Sequence, residues 1–287
     1  MKNDIIRAVL VFFVLLHLSA CSSDTNNEST TPLRLGILPD QGIETLKSRY
    51  TPLLDYLNSQ TGLNFVFVFP DSYLELEQKF GNKEIDLAYF GGATFVSANK
   101  KYNAKPLVMR DVDRRFTSYF LVHRSNKATS IQDFKNKRLA FGSKFSTSGH
   151  FMPRYFMSKE NIVPEKFFSE VIYTGSHDKT ARLVQDNKVE IGVVNSAIVD
   201  SMIADGQLAS TRVRILKTTP PYPDYVWASQ EGLNEKIVVN IRNAFLALSI
   251  DNPQHKIVLE NISAGAFYPA SKEEFNPLVK AMDQITW

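Results

Sequence analysis

Cysteine is almost absent from this chain of 287 residues, which has a single one, Cys21. One thiol cannot form an internal disulfide, so the stability of the folded part must come from an apolar core. His, Asp and Glu do not cluster at the spacings of metal sites, and no phosphate-binding loop of the Walker type occurs. These absences argue against an enzyme and predict neither a catalytic residue, a metal ion nor a cofactor.

Neither sign of charge is in large excess. The 33 basic and 30 acidic side chains leave a net charge of +3. A dense basic stripe with interleaved aromatic residues, which would indicate nucleic-acid binding, is also missing. We therefore predict no nucleic-acid partner.

Residues 1–20 have the pattern of a secretory signal peptide, in which Lys2 and Arg7 precede the apolar run 8–16. That run is too short for a stable membrane span. The sequence Leu-Ser-Ala-Cys, ending at Cys21, resembles the lipobox of bacterial lipoproteins, which implies cleavage before Cys21 and acylation of its thiol. Residues 21–32 are small and polar, as in a flexible lipid-anchored linker. We expect an exported protein, anchored to a membrane in the periplasm or at the cell surface.

From Leu33 onward, short apolar segments alternate with amphipathic ones, which predicts an α/β fold with a largely parallel sheet. Thr51 and Pro52 have the pattern of a helix N-cap and first helical residue, and Gly62 that of a helix end. Predicted strands cover 33–38, 64–69, 85–90, 118–122, 138–141, 171–173, 191–194, 213–216 and 225–228. Further predicted helices cover 73–80, 92–100, 130–134, 148–159, 177–185, 195–204, 234–250 and 272–285.

The segment that carries chemistry follows the predicted strand 138–141. Ser146, Thr147, Ser148 and Gly149 stand where the next helix begins. A helix N-terminus exposes backbone N–H groups and a partial positive charge, and neighbouring hydroxyls add donors for a tetrahedral anion. Ser and Thr are also ordinary helix caps, so the residues alone leave both readings open.

Here the chain resembles the phosphonate-binding family of periplasmic proteins that serve ABC importers. The motif Ser-Thr-Ser-Gly-x-x-x-Pro at 146–153 is joined, in the same order as in the family, by five other segments. These are the early helix around 50–57, the segment of the first ligand-facing aromatic at 71–73, the second strand and loop at 85–91, the segment of the ligand-binding histidine at 174–177, and the hinge segment at 220–227. The resemblance covers Leu33 to the C-terminus and implies the type II periplasmic-binding fold, with the ligand between two lobes.

The resemblance implies lobe 1 at 33–118 and 218–287 and lobe 2 at 119–217, joined by two crossing hinge strands near 117–122 and 217–227. It places the hydroxyls of Ser146, Thr147 and Ser148 on an oxyanion. His177 would donate to the anion, with help from its charge if protonated, and Tyr73 would wall the site and donate its hydroxyl. Further implied cleft residues are Phe90, Phe116, Asp224 and Tyr225. Apart from the resemblance, His177 would be a surface or helix-start residue, Tyr73 a core residue and Asp224 a turn residue after Pro223.

Two departures from the family pattern concern the ligand. Phe116 stands where the family's aminoalkylphosphonate binder has a second Tyr, and Ala197 stands where that binder has a Glu for the ligand's amine. Loss of the carboxylate argues against a ligand with a cationic amine and favours phosphite, methylphosphonate or phosphate. The expected partner is an ABC permease. A sensory lipoprotein that reports the same anions to a membrane kinase remains open, partly because Ser22 rather than Asp follows the cysteine.

Overall fold

The computed structural model describes residues 31–285, so the predicted signal peptide, Cys21 and nearly all of the predicted linker lie outside the described residues. Within 31–285, no helix is both long and apolar enough to cross a membrane. The strands of this part form two sheets. The predicted α/β fold class is therefore present, with two separate sheets.

The first sheet has six strands in the order β11-β4-β10-β3-β1-β2. Its strands are β1 (Leu33–Ile37), β2 (Phe65–Val68), β3 (Leu87–Phe90), β4 (Lys105–Arg110), β10 (Val226–Ser229) and β11 (Phe267–Pro269). Its helices are α1 (Ile43–Thr61), α2 (Tyr73–Gly81), α3 (Gly92–Tyr102), α8 (Glu235–Leu246), α9 (Pro253–Asn261) and α10 (Asn276–Asp283).

The second sheet has five strands in the order β7-β6-β8-β5-β9. Its strands are β5 (Ser118–His123), β6 (Arg138–Phe141), β7 (Glu170–Tyr173), β8 (Ile191–Asn195) and β9 (Val213–Thr218). Its helices are α4 (Met152–Lys159), α5 (Pro164–Phe167), α6 (His177–Gln185) and α7 (Ser196–Ala204). Short 3-10 turns occupy Asp111–Arg115, Ile131–Phe134 and Lys272–Phe275.

Both sheets are mixed, so the prediction of a largely parallel sheet is wrong. β1 pairs in parallel with β2 and β3, and β6 with β7 and β8. β10, however, lies antiparallel between β3 and β4, and β5 pairs antiparallel with β8 and β9. These antiparallel strands belong to the two stretches where the chain passes from one sheet to the other, and there Phe116 and Tyr222 form an isolated antiparallel bridge.

The first helix begins eight residues earlier than Thr51, at Ile43, so the N-cap prediction at Thr51 is wrong. Pro52 lies inside the helix, although an interior proline costs about 3 kcal/mol. Burial outweighs this cost, because Leu46, Tyr50, Leu53 and Leu57 recur at helical spacing and are all buried. The helix ends at Gly62, which has a φ of 70° as predicted for a C-terminal glycine.

Further differences concern elements that the sequence did not reveal or gave at another length. β4, α5, β11 and α9 were not predicted, and the predicted helix 234–250 ends at Leu246. The predicted helix 272–285 is a 3-10 turn followed by α10. These segments are short, or their apolar residues pack against elements that are distant in sequence. β4, for example, is positioned by pairing with β10, which is more than 100 residues away in sequence.

Each sheet has its own apolar core. In the second sheet, alternate side chains point to opposite faces, as strand geometry requires. Phe120, Phe141 and Val193 pack on one face, and Leu121, Ala140 and Val194 on the other. The polar residues that follow the strands are thereby left at the strand ends, where the two sheets approach each other.

Candidate ligand-binding site

Polar residues collect at the carboxyl ends of the parallel strands. Asp40 follows β1, Gly91 follows β3, Ser146 follows β6, and Asn195 ends β8. In α/β folds the crevice outside these strand ends is the usual place for a ligand. The local order of strand, short loop and helix thus brings residues from both sheets to one region.

The Ser-Thr-Ser-Gly segment forms a wide helical turn, Thr147–Phe151, that leads into α4, so the predicted helix 148–159 has two parts. Ser146 caps the turn, with its Oγ accepting a hydrogen bond from the N–H of Gly149 at 2.9 Å. Pro153 has no N–H to donate to the carbonyl of Gly149, and that carbonyl instead accepts from the N–H of Gly142 at 3.0 Å. The turn is therefore tied back to the end of β6.

Three polar atoms here are buried and have no hydrogen-bond partner among the described residues. They are the hydroxyls of Tyr73 and Ser148 and Oδ2 of Asp224. All three side chains belong to residues that are at most 2 % exposed. Because buried polar groups are nearly always paired, this cluster indicates a place where a polar ligand supplies the missing partners. All three residues were predicted from the sequence.

Thr147 and Asp224 meet at the N-terminus of α3. The Oγ1 of Thr147 accepts from the N–H of Ala93 at 2.9 Å, and Oδ1 of Asp224 accepts from the N–H of Gly92 at 2.9 Å. The hydroxyl hydrogen of Thr147 is not used in its bond with Ala93. Thr147 comes from the second sheet and Ala93 from the first, so this contact joins the two.

Burial raises the pKa of Asp224 from its ordinary value to about 7, opposed by the N–H of Gly92 and the nearby hydroxyls of Thr147 and Ser148. The carboxyl group therefore changes charge near neutral pH. It is held by α3 and by its own N–H, which donates to the carbonyl of Asp113 at 2.9 Å. Asp224 is 1 % exposed, so it is far more buried than is usual for a turn residue, the alternative interpretation.

His177 opens α6 and is completely buried. Its Nδ1 accepts from the backbone N–H of Asn195 at 3.1 Å, so the proton of the neutral ring is on Nε2. Nε2 lies 3.4 Å from Oγ of Ser146. Burial lowers the pKa of His177 to about 4, so the expected help from a protonated ring is absent near neutral pH. His177 offers a neutral N–H donor instead.

The remaining predicted aromatic residues differ in their positions. The hydroxyl of Tyr225 accepts from Asn195 and donates to Asp40. Its only hydrogen is therefore used within the protein. Phe116 lies against Tyr225, with 5.6 Å between ring centroids. Phe90 packs on Phe80 in the core, whereas its neighbour Tyr89 stacks on Tyr225 at 5.1 Å. Alternation along β3 therefore turns the ring of Tyr89, and not that of Phe90, toward this side of the sheet.

With this geometry established, three comparisons with known proteins can be described. A family model described as "ABC transporter, phosphonate, periplasmic substrate-binding protein" matches residues 35–275. The chain belongs to this family. It is a family of transporter binding proteins and not of enzymes, as predicted, and its members are exported to the periplasm.

Curated relatives share between a fifth and a third of their residues with this member of the family. The "Probable ABC transporter phosphite binding protein PhnD1" of Prochlorococcus marinus is 28% identical over 85% of this chain and 86% of its own length. The "Phosphate-import protein PhnD" of Mycolicibacterium smegmatis is 25% identical over 81% and 78%. The "Phosphonates-binding periplasmic protein" of Escherichia coli is 23% identical over 96% and 83%.

Solved structures agree with the fold. PhnD1 from Prochlorococcus marinus in complex with methylphosphonate matches with a TM-score of 0.82, covering 88% of this chain and 97% of that one at 28% identity. A binding protein of an ABC phosphonate transporter from Pseudomonas aeruginosa has the same TM-score of 0.82 over 88% and 85%, at 20% identity. The predicted type II periplasmic-binding fold is thereby confirmed.

Asp40, Tyr89, Arg110 and Asn195 were not predicted as site residues from the sequence. Arg110 forms a buried ion pair with Asp113 at 2.7 Å and lies 5.4 Å from the ring centroid of Tyr225. A usable signal existed for Asp40 and Asn195, because each follows or ends a short apolar strand. No local pattern indicates Arg110, since β4 itself has no clear periodicity.

Proposed function

We propose that this phosphonate-family binding protein captures a small phosphorus oxyanion between its two sheets and delivers it to an ABC importer. The observation that carries the proposal is the set of unpaired buried atoms at Tyr73, Ser148 and Asp224. The two hydroxyls can donate to anionic oxygens, and the carboxylate can accept a hydrogen bond from a protonated oxygen of the ligand. Ser146, Thr147 and His177 add donors around them.

The site favours a ligand with no more than a small substituent. Beside it, a cavity of about 10 Å³ is lined by Asp40, Tyr89, Arg110, Ala197 and Tyr225, among others. A space of this size holds about one water molecule. Ala197 offers no carboxylate for an amine. Asp40 lies near but already accepts a hydrogen bond from Tyr225. Burial raises the pKa of Asp40 to about 6, opposed by that hydrogen bond and by the charges of Arg49 and Arg110.

We extend the proposal to the chain's organisation. Lobe 1 would comprise 33–118 and 218–287 and lobe 2 119–217, which agrees with the division of the strands between the sheets. The Leu-Ser-Ala-Cys motif supports a lipid anchor at Cys21 that holds the exported protein at a membrane. No specific observation favours a sensory role over import.

Calorimetric titration of the purified protein tests this function. Phosphite, methylphosphonate, phosphate, 2-aminoethylphosphonate and sulfate should be compared at one pH and ionic strength. We expect at least one of the three small phosphorus oxyanions to bind with a 1:1 stoichiometry and more tightly than sulfate. Absence of binding for every phosphorus compound would overturn the proposal.

A further inference from the structure

Four buried residues behind the site form a closed ring of hydrogen bonds, called here the closure ring: Asp40, Tyr225, Asn195 and His177. The hydroxyl of Tyr225 donates to Oδ2 of Asp40 at 2.9 Å and accepts from Nδ2 of Asn195 at 2.8 Å. The N–H of Asn195 donates to Nδ1 of His177 at 3.1 Å. The N–H of His177 donates to the carbonyl of Asp40 at 3.0 Å and completes the ring.

Two bonds of the closure ring pass from one sheet to the other. Asp40 and Tyr225 adjoin β1 and β10 of the first sheet, whereas Asn195 and His177 adjoin β8 and α6 of the second. The crossing bonds are therefore Asn195 to Tyr225 and His177 to Asp40. None of the four residues is more than 6 % exposed, so both bonds exist only while the sheets are together.

The site must open for a ligand to enter. Tyr73, Thr147, Ser148 and Asp224 are at most 2 % exposed, which leaves no path for an anion in this arrangement. Separation of the two sheets, the reverse of hinge closure in periplasmic binding proteins, would break the two bonds of the closure ring that cross between them. The ring therefore contributes to the free-energy difference between open and closed forms, whichever anion is bound.

The same ring aims His177. Because the N–H of Asn195 can only donate, it holds Nδ1 as the acceptor and leaves the proton on Nε2, on the side of Ser146. The imidazole of His177 is confined on its other side by Gly149. A Cβ at Gly149 would lie 2.7 Å from Cε1 of His177, so a larger residue would displace the imidazole.

We propose that the closure ring is a latch that stabilises the closed form before ligand binds and fixes the Nε2–H of His177 toward the anion. Asp40 and Asn195 are thus positioning residues, which act on affinity without touching the ligand. The second half of this inference rests on the proposed function, whereas the closing role does not. The two can therefore be tested apart.

The test combines Tyr225→Phe, Asn195→Ser and the double variant. Tyr225→Phe removes only the hydroxyl. Asn195→Ser keeps a side-chain oxygen that can cap α7, where Oδ1 of Asn195 accepts from the N–H of Ile198, but it is too short to reach Tyr225. Tyr119→Phe is the matched control, because its hydroxyl also bonds a carboxylate, Asp200, at 3.1 Å, away from the closure ring.

The first measurement is the radius of gyration of the ligand-free proteins by small-angle X-ray scattering. Tyr225→Phe and Asn195→Ser should be more expanded than wild type, and Tyr119→Phe should not. An unchanged radius in both latch variants would overturn the closing role. If Tyr225→Phe does not fold, as judged by thermal unfolding, Asn195→Ser carries the test.

The second measurement is the affinity for phosphite and for methylphosphonate. Loss of the neutral hydrogen bond that crosses between the sheets, from Asn195 to Tyr225, should weaken binding about two- to tenfold, mainly through faster release. Because both variants break the bond between Asn195 and Tyr225, the double variant should be weaker than wild type by much less than the product of the two single effects. If the double variant weakens binding by the full product of the two single effects, the latch is overturned. If wild type binds none of the phosphorus compounds, the proposed function fails, while the radius still decides the closing role.

Discussion

Replacing Asp224 with Asn tests how the site distinguishes phosphorus oxyanions from sulfate. The ionised carboxylate can only accept hydrogen bonds, so it requires a proton on the ligand. Singly protonated phosphonates and phosphates carry one, but sulfate near neutral pH does not and would meet repulsion. Asp224→Asn keeps the size and the bond from the N–H of Gly92, and supplies an amide that donates as well as accepts. Wild type therefore excludes sulfate by an unfavourable contact between the ionised carboxylate and a ligand that carries no proton.

The magnitude follows from one hydrogen bond to a charged group. Such bonds contribute about 1.5–3 kcal/mol. At about 1.4 kcal/mol per factor of ten, Asp224→Asn should weaken the binding of phosphate, which still carries one proton at pH 8, roughly ten- to hundredfold at that pH. Sulfate, which wild type should reject at that pH, should bind the variant measurably. Asp200→Asn, an exposed residue, is the control for the change of charge.

The pH dependence should follow the same carboxyl group. Because the pKa of Asp224 is about 7, wild type at pH 5.5 carries a protonated carboxyl that can donate to sulfate. Sulfate affinity of wild type should therefore rise between pH 8 and pH 5.5, and that of Asp224→Asn should change less. The pKa of His177 is about 4, so its ring stays neutral over this range.

The pH dependence of the free energy of unfolding provides a separate check that the pKa of Asp224 is raised. The folded protein keeps a proton on Asp224 that the unfolded chain releases above a pKa of about 3.9, so this stabilisation is complete below pH 4 and lost as pH rises to about 7. The free energy of unfolding of ligand-free wild type, minus that of Asp224→Asn, should fall by at most about 1.4 kcal/mol per pH unit in this window. Taking the difference cancels the opposite contributions of His150 and His177, whose pKa values burial lowers.

Competition calorimetry with sulfate and phosphate, on both proteins at pH 8 and pH 5.5, decides the matter. The role of Asp224 in selection is refuted if Asp224→Asn still ignores sulfate and keeps the full affinity of wild type for phosphate. Asp224 would then be a structural residue that holds the start of α3.

Three further outcomes are expected. Replacing Thr147 and Ser148 together with Ala should weaken phosphorus-oxyanion binding at least tenfold in calorimetry with an unchanged circular dichroism spectrum, because two donors to a charged ligand are lost; unchanged affinity for every oxyanion would place the site elsewhere. Phosphite or methylphosphonate should bind more tightly than 2-aminoethylphosphonate, since Ala197 leaves an ammonium unpaired, and the reverse order in the same titrations would mean that another carboxylate, with Asp40 the nearest candidate, accepts the amine. Cys21→Ser should abolish metabolic labelling with a palmitate analogue, and equal labelling of wild type and variant would end the lipoprotein interpretation.

Features that depend on neighbours in sequence could be predicted. The turn at 146–149 is an example, because a Ser that caps a helical turn bonds an N–H three residues later, as Ser146 does with Gly149. Most strands and helices were also recognisable, since apolar spacing reports which face of an element is buried. The resemblance to the phosphonate-binding family then added what spacing cannot supply, namely the kind of ligand.

Other features were decided only when distant segments met. Helix α1 continues through Pro52 because the packing of its apolar face outweighs the lost backbone bond, and β4 exists because β10 pairs with it. The pKa of Asp224 and the single donor of His177 follow from burial and from partners far along the chain. The closure ring joins Asp40 to residues more than 130 positions away. A sequence pattern records the local preferences of the chain, whereas desolvation and hydrogen bonding between distant residues arise only once the two sheets are assembled.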